Sequence, residues 1–249
     1  MRKIFSVFIV LSVLFFAGAE SWASPTLDRI RERGVLIGAT TDFDTAPFII
    51  SDGDEAKGFD VDLIHAIAKK LGVDAKVIRI PWDGGITNAW TDGYDWSLFD
   101  IAASTITITD ARGQKCLFSE PYFVTGQVLL TRGSADGLKT HSDAKGTTLG
   151  ILQGSTAGAG AESIGAIPLP FEKYDQILEA VLAGIIGGAV MDGPVAEDYA
   201  RQNPSLKVVD GFLTKEEFGV AMPSGDDEMA DLVNQVISER AESLKAKWF

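Results

Sequence analysis

The chain has 249 residues, of which 46% are hydrophobic and 23% charged, and its formal net charge is −13. This length and balance predict a folded protein of one or two domains and exclude a disordered chain. Because no stretch is basic enough to neutralise a phosphate backbone, the composition also argues against nucleic-acid binding. Two histidines and a single cysteine, Cys116, argue against a zinc site and exclude an intramolecular disulfide, so no metal or cofactor is predicted.

The first 23 residues have the composition of a secretory signal peptide. Arg2 and Lys3 are basic, residues 4–19 are apolar, and small residues flank Trp22 ahead of a cut after Ala23. An uncleaved membrane anchor is the alternative, but the apolar run is short for a bilayer span. We therefore predict an exported, periplasmic protein whose mature chain begins at Ser24.

Strand and helix patterns alternate along the rest of the chain, which predicts an α/β fold. Apolar runs predict strands at residues 34–39, 75–80, 99–103, 148–152 and 188–191. Amphipathic patterns predict helices at residues 60–71, 174–183 and 226–245. The first of these helices begins at Asp60 and ends before Gly72, an acidic start and a glycine stop that helix geometry favours.

Residues 90–98 form an aromatic segment that is longer than a plain turn requires. It contains Trp90, Tyr94 and Trp96 together with Gly93. Two interpretations stay open: a loop that packs aromatic side chains over an opening, or a hairpin at the surface.

Residues 104–112 are typical of a hydroxyl-rich strand that ends in one arginine, Arg112. Hydroxyls and backbone N–H groups beside a guanidinium can bind a carboxylate, because arginine offers a planar fork that matches two oxygens at once. Such strands also occur at ordinary sheet edges, so the pattern alone does not establish a binding site.

Two later segments place polar groups at the ends of strands. The turn at residues 153–156 leads into the small residues 157–161, whose backbone N–H groups can hold an anion at a helix start. A flexible turn would have the same composition. Asp192 directly follows the strand at residues 188–191, where its carboxylate either meets a ligand or caps the turn.

Nine segments of the chain follow one another in a fixed order. In these segments and in their order, the chain resembles the extracytoplasmic solute-binding proteins of polar amino-acid ABC importers. They cover nearly all of the chain after the predicted signal peptide. The segments are GVL (34–36), DFDTAPF (42–48), GFDVDL (58–63), WDG (82–84), STITITDAR (104–112), FSEPYF (118–123), QGST (153–156), MDGP (191–194) and KWF (247–249).

The resemblance implies a two-lobe, type II periplasmic-binding fold with the ligand in the cleft between the lobes. Two strand crossovers would join the lobes, near residues 129–132 and 218–222. Residues 24–131 would then form the first part of lobe one, residues 132–218 lobe two, and residues 219–249 the segment that returns to lobe one.

The resemblance also assigns roles to five matching residues. Arg112 corresponds to the clamp for the ligand α-carboxylate, with Thr107 and Thr156 as hydroxyl donors to the same group. Thr105 lies where a backbone carbonyl meets the ligand ammonium, and Asp192 corresponds to the acid that pairs with it. A zwitterion leaving water needs both charges matched, which agrees with placing the two ions on different lobes.

Three further positions concern the ligand's side chain. Asp42 corresponds to a residue that contacts a polar or cationic side chain, although it could equally cap the turn before Pro47. Trp82 occupies an aromatic position that packs on the ligand, and core packing is its alternative. Thr45 departs from the family, since many members have a stacking aromatic there; Phe43 is one candidate to replace it.

We therefore predict a monomeric binding protein that captures a small zwitterionic solute, above all an amino acid, and delivers it to an ABC permease. The first alternative is an enzyme similar to cyclohexadienyl dehydratases, whose general-acid glutamate lies three residues after the acid that matches Asp192. Val195 occupies that position and cannot transfer a proton, and Glu197 would point elsewhere on a helix. The second alternative is a stand-alone ligand-sensing accessory protein.

Overall fold

The computed structural model describes residues 24–134 and 136–249, so the predicted signal peptide lies outside the described residues. The α-helices of this part are α1 (Pro25–Arg33), α2 (Phe59–Leu71), α3 (Asp110–Gly113), α4 (Ala157–Ser163), α5 (Tyr174–Leu182), α6 (Gly193–Gln202) and α7 (Asp227–Trp248). Short 3-10 helices cover Ile86–Trp90 and His141–Ala144. The strands are β1 (Val35–Thr41), β2 (Ile50–Asp52), β3 (Glu55–Lys57), β4 (Asp74–Ile80), β5 (Ile101–Ala102), β6 (Leu117–Phe118), β7 (Phe123–Thr125), β8 (Gln127–Arg132), β9 (Thr148–Leu152), β10 (Ile167–Phe171), β11 (Gly188–Asp192), β12 (Leu206–Val209), β13 (Glu216–Phe218) and β14 (Ala221–Met222).

Two mixed five-stranded sheets organise the molecule, and the predicted α/β class is confirmed. The first sheet has the order β4-β1-β5-β14-β6, and the second has the order β10-β9-β11-β8-β12. Parallel pairs such as β1 with β4 and β9 with β10 are joined through helices, as parallel strands require. We call each sheet with the helices packed on it a lobe.

The first lobe is built from both ends of the chain. Strand β14 inserts between β5 and β6, and the last helix, α7, packs on α2. The side chains of Lys247 and Trp248 both donate to the Asp62 carboxylate of α2, at 2.6 and 2.8 Å. The chain therefore leaves the first sheet, forms the second one and returns to the first.

Strands β7 and β13 lie between the two sheets and pair with each other antiparallel, with Phe218 opposite Phe123 and Glu216 opposite Thr125. The sequence predicts the first crossover near residues 129–132. Those residues lie in β8, which is hydrogen-bonded on one side to β11 and on the other to β12. The apolar run Val128, Leu129 and Leu130 is buried, which suits an interior strand better than a connection between lobes.

The aromatic segment at residues 90–98 joins the core of the first lobe. Trp96 is buried, and its ring packs edge-on against Phe99 at 5.4 Å between centroids. Tyr94 contacts both rings. No strand pairing occurs at the described residues 90–98, so the hairpin interpretation is wrong at this position.

Across the described part of the chain, every helix is too short or too polar to cross a bilayer. Over the same residues, no cluster of three or more potential metal-ligating His, Cys, Asp and Glu side chains is found.

Candidate functional site

A cavity lies between the two lobes, and residues of both lobes line it. All of the predicted site residues except Asp42 line it. From the first lobe these are Trp82, Thr105, Thr107 and Arg112, and from the second lobe Thr156 and Asp192. Further walls come from Phe43, Thr45, Gln127, Ser155, Tyr174 and Met191.

Arg112 is held in the cavity wall from both lobes. It lies on α3, whose start is capped by the Thr109 hydroxyl, which accepts the Arg112 backbone N–H at 3.2 Å. Its Nη1 donates to the Thr107 carbonyl at 2.8 Å, and its Nη2 donates across the cleft to the Gly154 carbonyl at 3.1 Å. Gly154 has a φ of 73°, a left-handed backbone that favours glycine. A guanidinium has five N–H donors, so Arg112 can bind a carboxylate while keeping these bonds.

The Arg112 guanidinium also packs on two indole rings. Its Cζ atom lies 4.3 Å from the centroid of Trp90 and 5.8 Å from that of Trp82. Burial lowers the pKa of Arg112 to about 10, while the nearby carboxylates of Glu216 and Asp192 act in the opposite direction. The side chain therefore stays cationic at neutral pH. Trp82 contributes to the site through this cation–π contact as well as through the cavity wall.

Glu216 is a site residue that sequence reasoning missed. It lies on β13, is only 2% exposed, and accepts hydroxyl hydrogen bonds from Thr107 at 2.6 Å, Thr156 at 3.0 Å and Thr214 at 2.5 Å. A threonine hydroxyl has one proton. The protons of Thr107 and Thr156, which the resemblance assigns to a ligand carboxylate, are therefore directed at Glu216 in this structure.

A weak sequence signal for Glu216 exists in the strand alternation. Thr214 and Glu216 are two residues apart and bond to each other on one face, whereas Lys215 and Glu217 form an ion pair on the other face. Alternation separates the two faces of a strand but does not tell which one meets the cleft.

Gln127 is a second residue that the sequence did not single out. Its Nε2 donates to the Thr156 hydroxyl at 2.8 Å, and its backbone N–H donates to the Thr214 hydroxyl at 3.1 Å. Its buried Oε1 has no hydrogen-bond partner among the described residues.

Thr105 presents an unusual backbone to the cavity. Its φ is 48°, in the left-handed region that β-branched residues rarely adopt. The buried carboxylate of Asp60 accepts its N–H at 2.8 Å and supports this conformation. Burial raises the pKa of Asp60 to about 7, although the hydrogen bond from Thr105 lowers it. The strained turn agrees with a role for the Thr105 backbone, which remains a prediction.

Asp192 lies at the end of β11, opposite Arg112 across the cavity. It stands at the N-cap position of α6 but makes no capping hydrogen bond through its side chain, so the alternative role as a turn cap is not observed. It is 8% exposed. Burial raises the pKa of Asp192 to about 7, with a further increase from Glu216 and a decrease from Arg112.

Asp42 is the predicted site residue that does not line the cavity. Its Oδ2 pairs with Nζ of Lys173 from the second lobe at 3.2 Å. The adjacent Phe43 does line the cavity and packs edge-on against Tyr174 at 5.7 Å between centroids. The aromatic wall near Thr45 is thus formed by Phe43 and Tyr174.

Several polar contacts join the two lobes around the cavity, which is closed in this structure. Gln153 of the second lobe donates to the Asp83 carboxylate at 2.6 Å. The Tyr199 hydroxyl donates to the Asp44 carbonyl at 3.2 Å. Together with the Asp42 ion pair, these contacts surround the cavity with bonds that an opening of the lobes would break.

The position of the dehydratase general acid carries no ionisable group. Val195 is buried within α6, and Glu197 is exposed on the same helix. Neither lines the cavity. The described residues thus place no second carboxylic acid beside Asp192 on this helix face.

Comparisons with known proteins agree with the resemblance found in the sequence. Residues 37–249 match the family described as bacterial extracellular solute-binding proteins, family 3. The L-cystine-binding protein TcyJ of Escherichia coli (strain K12) is 29% identical over 96% of this chain and 93% of its own length. The predicted resemblance to the solute-binding proteins of amino-acid ABC importers is confirmed.

Solved structures show the same fold. A mutant of ArgBP from T. maritima superposes with a TM-score of 0.80 and 30% identity, over 90% of this chain and 99% of that one. An ancestral amino acid-binding protein, named as a precursor of cyclohexadienyl dehydratase, superposes with a TM-score of 0.79 and 34% identity, over 90% and 99% of the two chains. The predicted two-lobe, type II periplasmic-binding fold is confirmed.

Proposed function

This chain belongs to family 3 of the bacterial extracellular solute-binding proteins, and we propose that it captures an amino acid outside the cytoplasm and delivers it to an ABC importer. Related proteins are named as binding L-cystine, arginine or glutamine, and one is named a probable histidine-binding protein. The proposal extends that role to this protein, acting as a monomer in the periplasm after removal of residues 1–23.

One observation carries the proposal: a buried cation and a buried carboxylate face one cavity from different lobes. Arg112 belongs to the first lobe and Asp192 to the second, and both line the cleft. A zwitterion leaving water loses the hydration of both its charges, so a site that matches only one would bind it poorly. A ligand with an α-carboxylate and an α-ammonium meets both partners only when the lobes are closed.

Closure then becomes a consequence of binding. The ligand stabilises the closed form by its differential contacts with the two lobes, through a hinge at the β7–β13 pair. We propose this pair as the boundary between the lobes, in place of one after residue 131. The closed form would be the one that docks on the permease.

A ligand screen tests the proposed function. We expect the chain from Ser24 onward to be stabilised by one or a few amino acids in a thermal-shift assay that also includes betaines, ectoine and prephenate. A ligand at about 100 times its Kd adds about 2.7 kcal/mol, which corresponds to a rise of roughly 5–10 °C in Tm for a chain of this size. Stabilisation by no amino acid would contradict the proposal.

The enzyme alternative is tested in the same preparation. Mixing the protein with prephenate and following its consumption should give no turnover, because Val195 offers no proton donor where the dehydratases have a glutamate. Turnover that is lost in Asp192→Asn would establish an enzyme on this fold and would overturn the binding-protein assignment.

Amino-acid binding should weaken at acidic pH. Burial in the closed cleft raises the pKa of Asp192 to about 7, and the ligand ammonium favours the ionised form of this side chain, so binding below pH 7 requires release of a proton. We expect the affinity to rise by about tenfold per pH unit between pH 5 and 7 and to level off above it. Titration calorimetry in two buffers of different ionisation enthalpy measures the proton released.

Asp60 is the control for this pH dependence, because burial raises its pKa to about 7 as well. If the change of affinity with pH disappears in Asp192→Asn, the effect is assigned to Asp192. A slope that persists in that variant assigns it to Asp60 and contradicts the prediction.

A further inference from the structure

A buried carboxylate lies beneath the cavity and has no part in holding a zwitterion. Glu216 does not line the cleft itself, but it is bonded to two residues that do, Thr107 of the first lobe and Thr156 of the second. Its position on β13, one of the two paired strands between the sheets, places it where both lobes meet.

The charges around the cavity do not balance. Among the residues in the described ranges that line it, Arg112 is the cation and Asp192 the anion, and Glu216 adds a second carboxylate directly behind the wall. Lys173 does not correct the difference, because it is paired with Asp42 at the edge of the cleft. A zwitterionic ligand adds no net charge, so the three ions Arg112, Asp192 and Glu216 together keep one negative charge in excess.

The influence of Glu216 reaches the binding groups themselves. Burial is the largest cause that raises the pKa of Asp192, and the charge of Glu216 is the second largest. Burial lowers the pKa of Arg112, and Glu216 opposes this change more than Asp192 does. In a site shielded from water such fields are strong. A cation in the ligand side chain would lower this unfavourable energy, and an additional anion would increase it.

The hydroxyl bonds add a second reason to exclude acidic ligands. The hydroxyls of Thr107, Thr156 and Thr214 all donate to Glu216. A second ligand carboxylate on the Glu216 side of the cavity would therefore find no free hydroxyl proton on these three residues. A buried carboxylate without donors is strongly disfavoured.

We propose that Glu216 determines the charge class of the ligand and makes the cleft prefer amino acids with a cationic side chain to those with an acidic one. The inference rests on the proposed function and narrows its substrate class. Glu216 acts through the field and the hydroxyl group it organises, without contact to the ligand.

The test measures arginine, citrulline and glutamate binding by titration calorimetry to wild-type protein and to Glu216→Gln. Citrulline has nearly the shape of arginine without its charge. We expect wild type to prefer arginine to both, and Glu216→Gln to reduce the ratio of arginine to glutamate affinity by about tenfold or more, as for other close charge pairs.

Glu217→Gln is the matched control. It removes the same charge one residue away, from a side chain that is 38% exposed and paired with Lys215 outside the cleft. We expect its three affinities to stay within about twofold of wild type, since exposed ion pairs contribute little.

Three results would overturn the inference. One is an equal change of all three affinities in Glu216→Gln, which would mean a purely structural role. Another is wild-type protein that does not prefer arginine to glutamate. If Glu216→Gln does not fold, the ratio of arginine affinity to citrulline affinity in wild-type protein becomes the test. A ratio below about threefold overturns the inference. Failure of every amino acid to bind wild type is a separate result, which rejects the proposed function itself.

Discussion

Arg112→Ala should weaken amino-acid binding by about 30-fold or more. The substitution leaves a ligand α-carboxylate in the closed cleft without its cation, and it also removes the bond from Nη2 to Gly154 that joins the lobes. Truncating one member of a buried charge pair costs about 2–5 kcal/mol, which corresponds to a loss of roughly 30-fold to several thousand-fold in affinity. Titration calorimetry with the amino acid found in the ligand screen measures this loss.

Two further variants define the cause. Arg112→Lys keeps the charge but loses the planar fork, so its affinity should fall between those of wild type and Arg112→Ala. Arg240→Ala makes the same truncation at an exposed position on α7 and should bind as wild type does. Unchanged affinity in a folded Arg112→Ala would contradict the carboxylate role.

Asp192→Asn should weaken amino acids much more than carboxylates that lack an ammonium group. The asparagine keeps the shape of the side chain but removes the charge that a ligand ammonium would meet, and that charge is almost fully buried. We expect a loss of about 30-fold or more for the amino acid and less than about threefold for its deaminated analogue. Competition binding with the two compounds measures the difference.

Asp198→Asn is the control for this variant. Asp198 is also buried on α6, but it bonds to Arg201 and Gln202 and does not line the cavity. Its affinities should match those of wild type. Equal losses for the amino acid and its analogue in Asp192→Asn would show that Asp192 does not pair with the ammonium.

Local patterns predicted the secondary structure well where one face of an element is buried. The helix predicted at residues 60–71 is observed as Phe59–Leu71, and the strand predicted at residues 148–152 is observed as Thr148–Leu152. Both predictions depend on the periodicity of apolar residues within one element. Packing against neighbouring elements stabilises these elements and leaves their boundaries nearly unchanged. Residues 129–132, near which a crossover is predicted, lie in the interior strand β8. An apolar run by itself does not specify which strands will pair with it.

The sequence by itself determined the α/β class and the family, because each follows from local periodicity or from motifs in a fixed order, and it predicted the two ions of the site. Arg112 and Asp192 end recognisable segments, so local sequence is enough to single out these two side chains. Only the tertiary structure decided that Asp42 pairs with Lys173 and that Glu216 joins the hydroxyls of Thr107 and Thr156. These contacts span up to 131 positions along the chain. They arise from the pairing of distant strands and the meeting of two lobe surfaces, neither of which leaves a periodic trace in the residues involved.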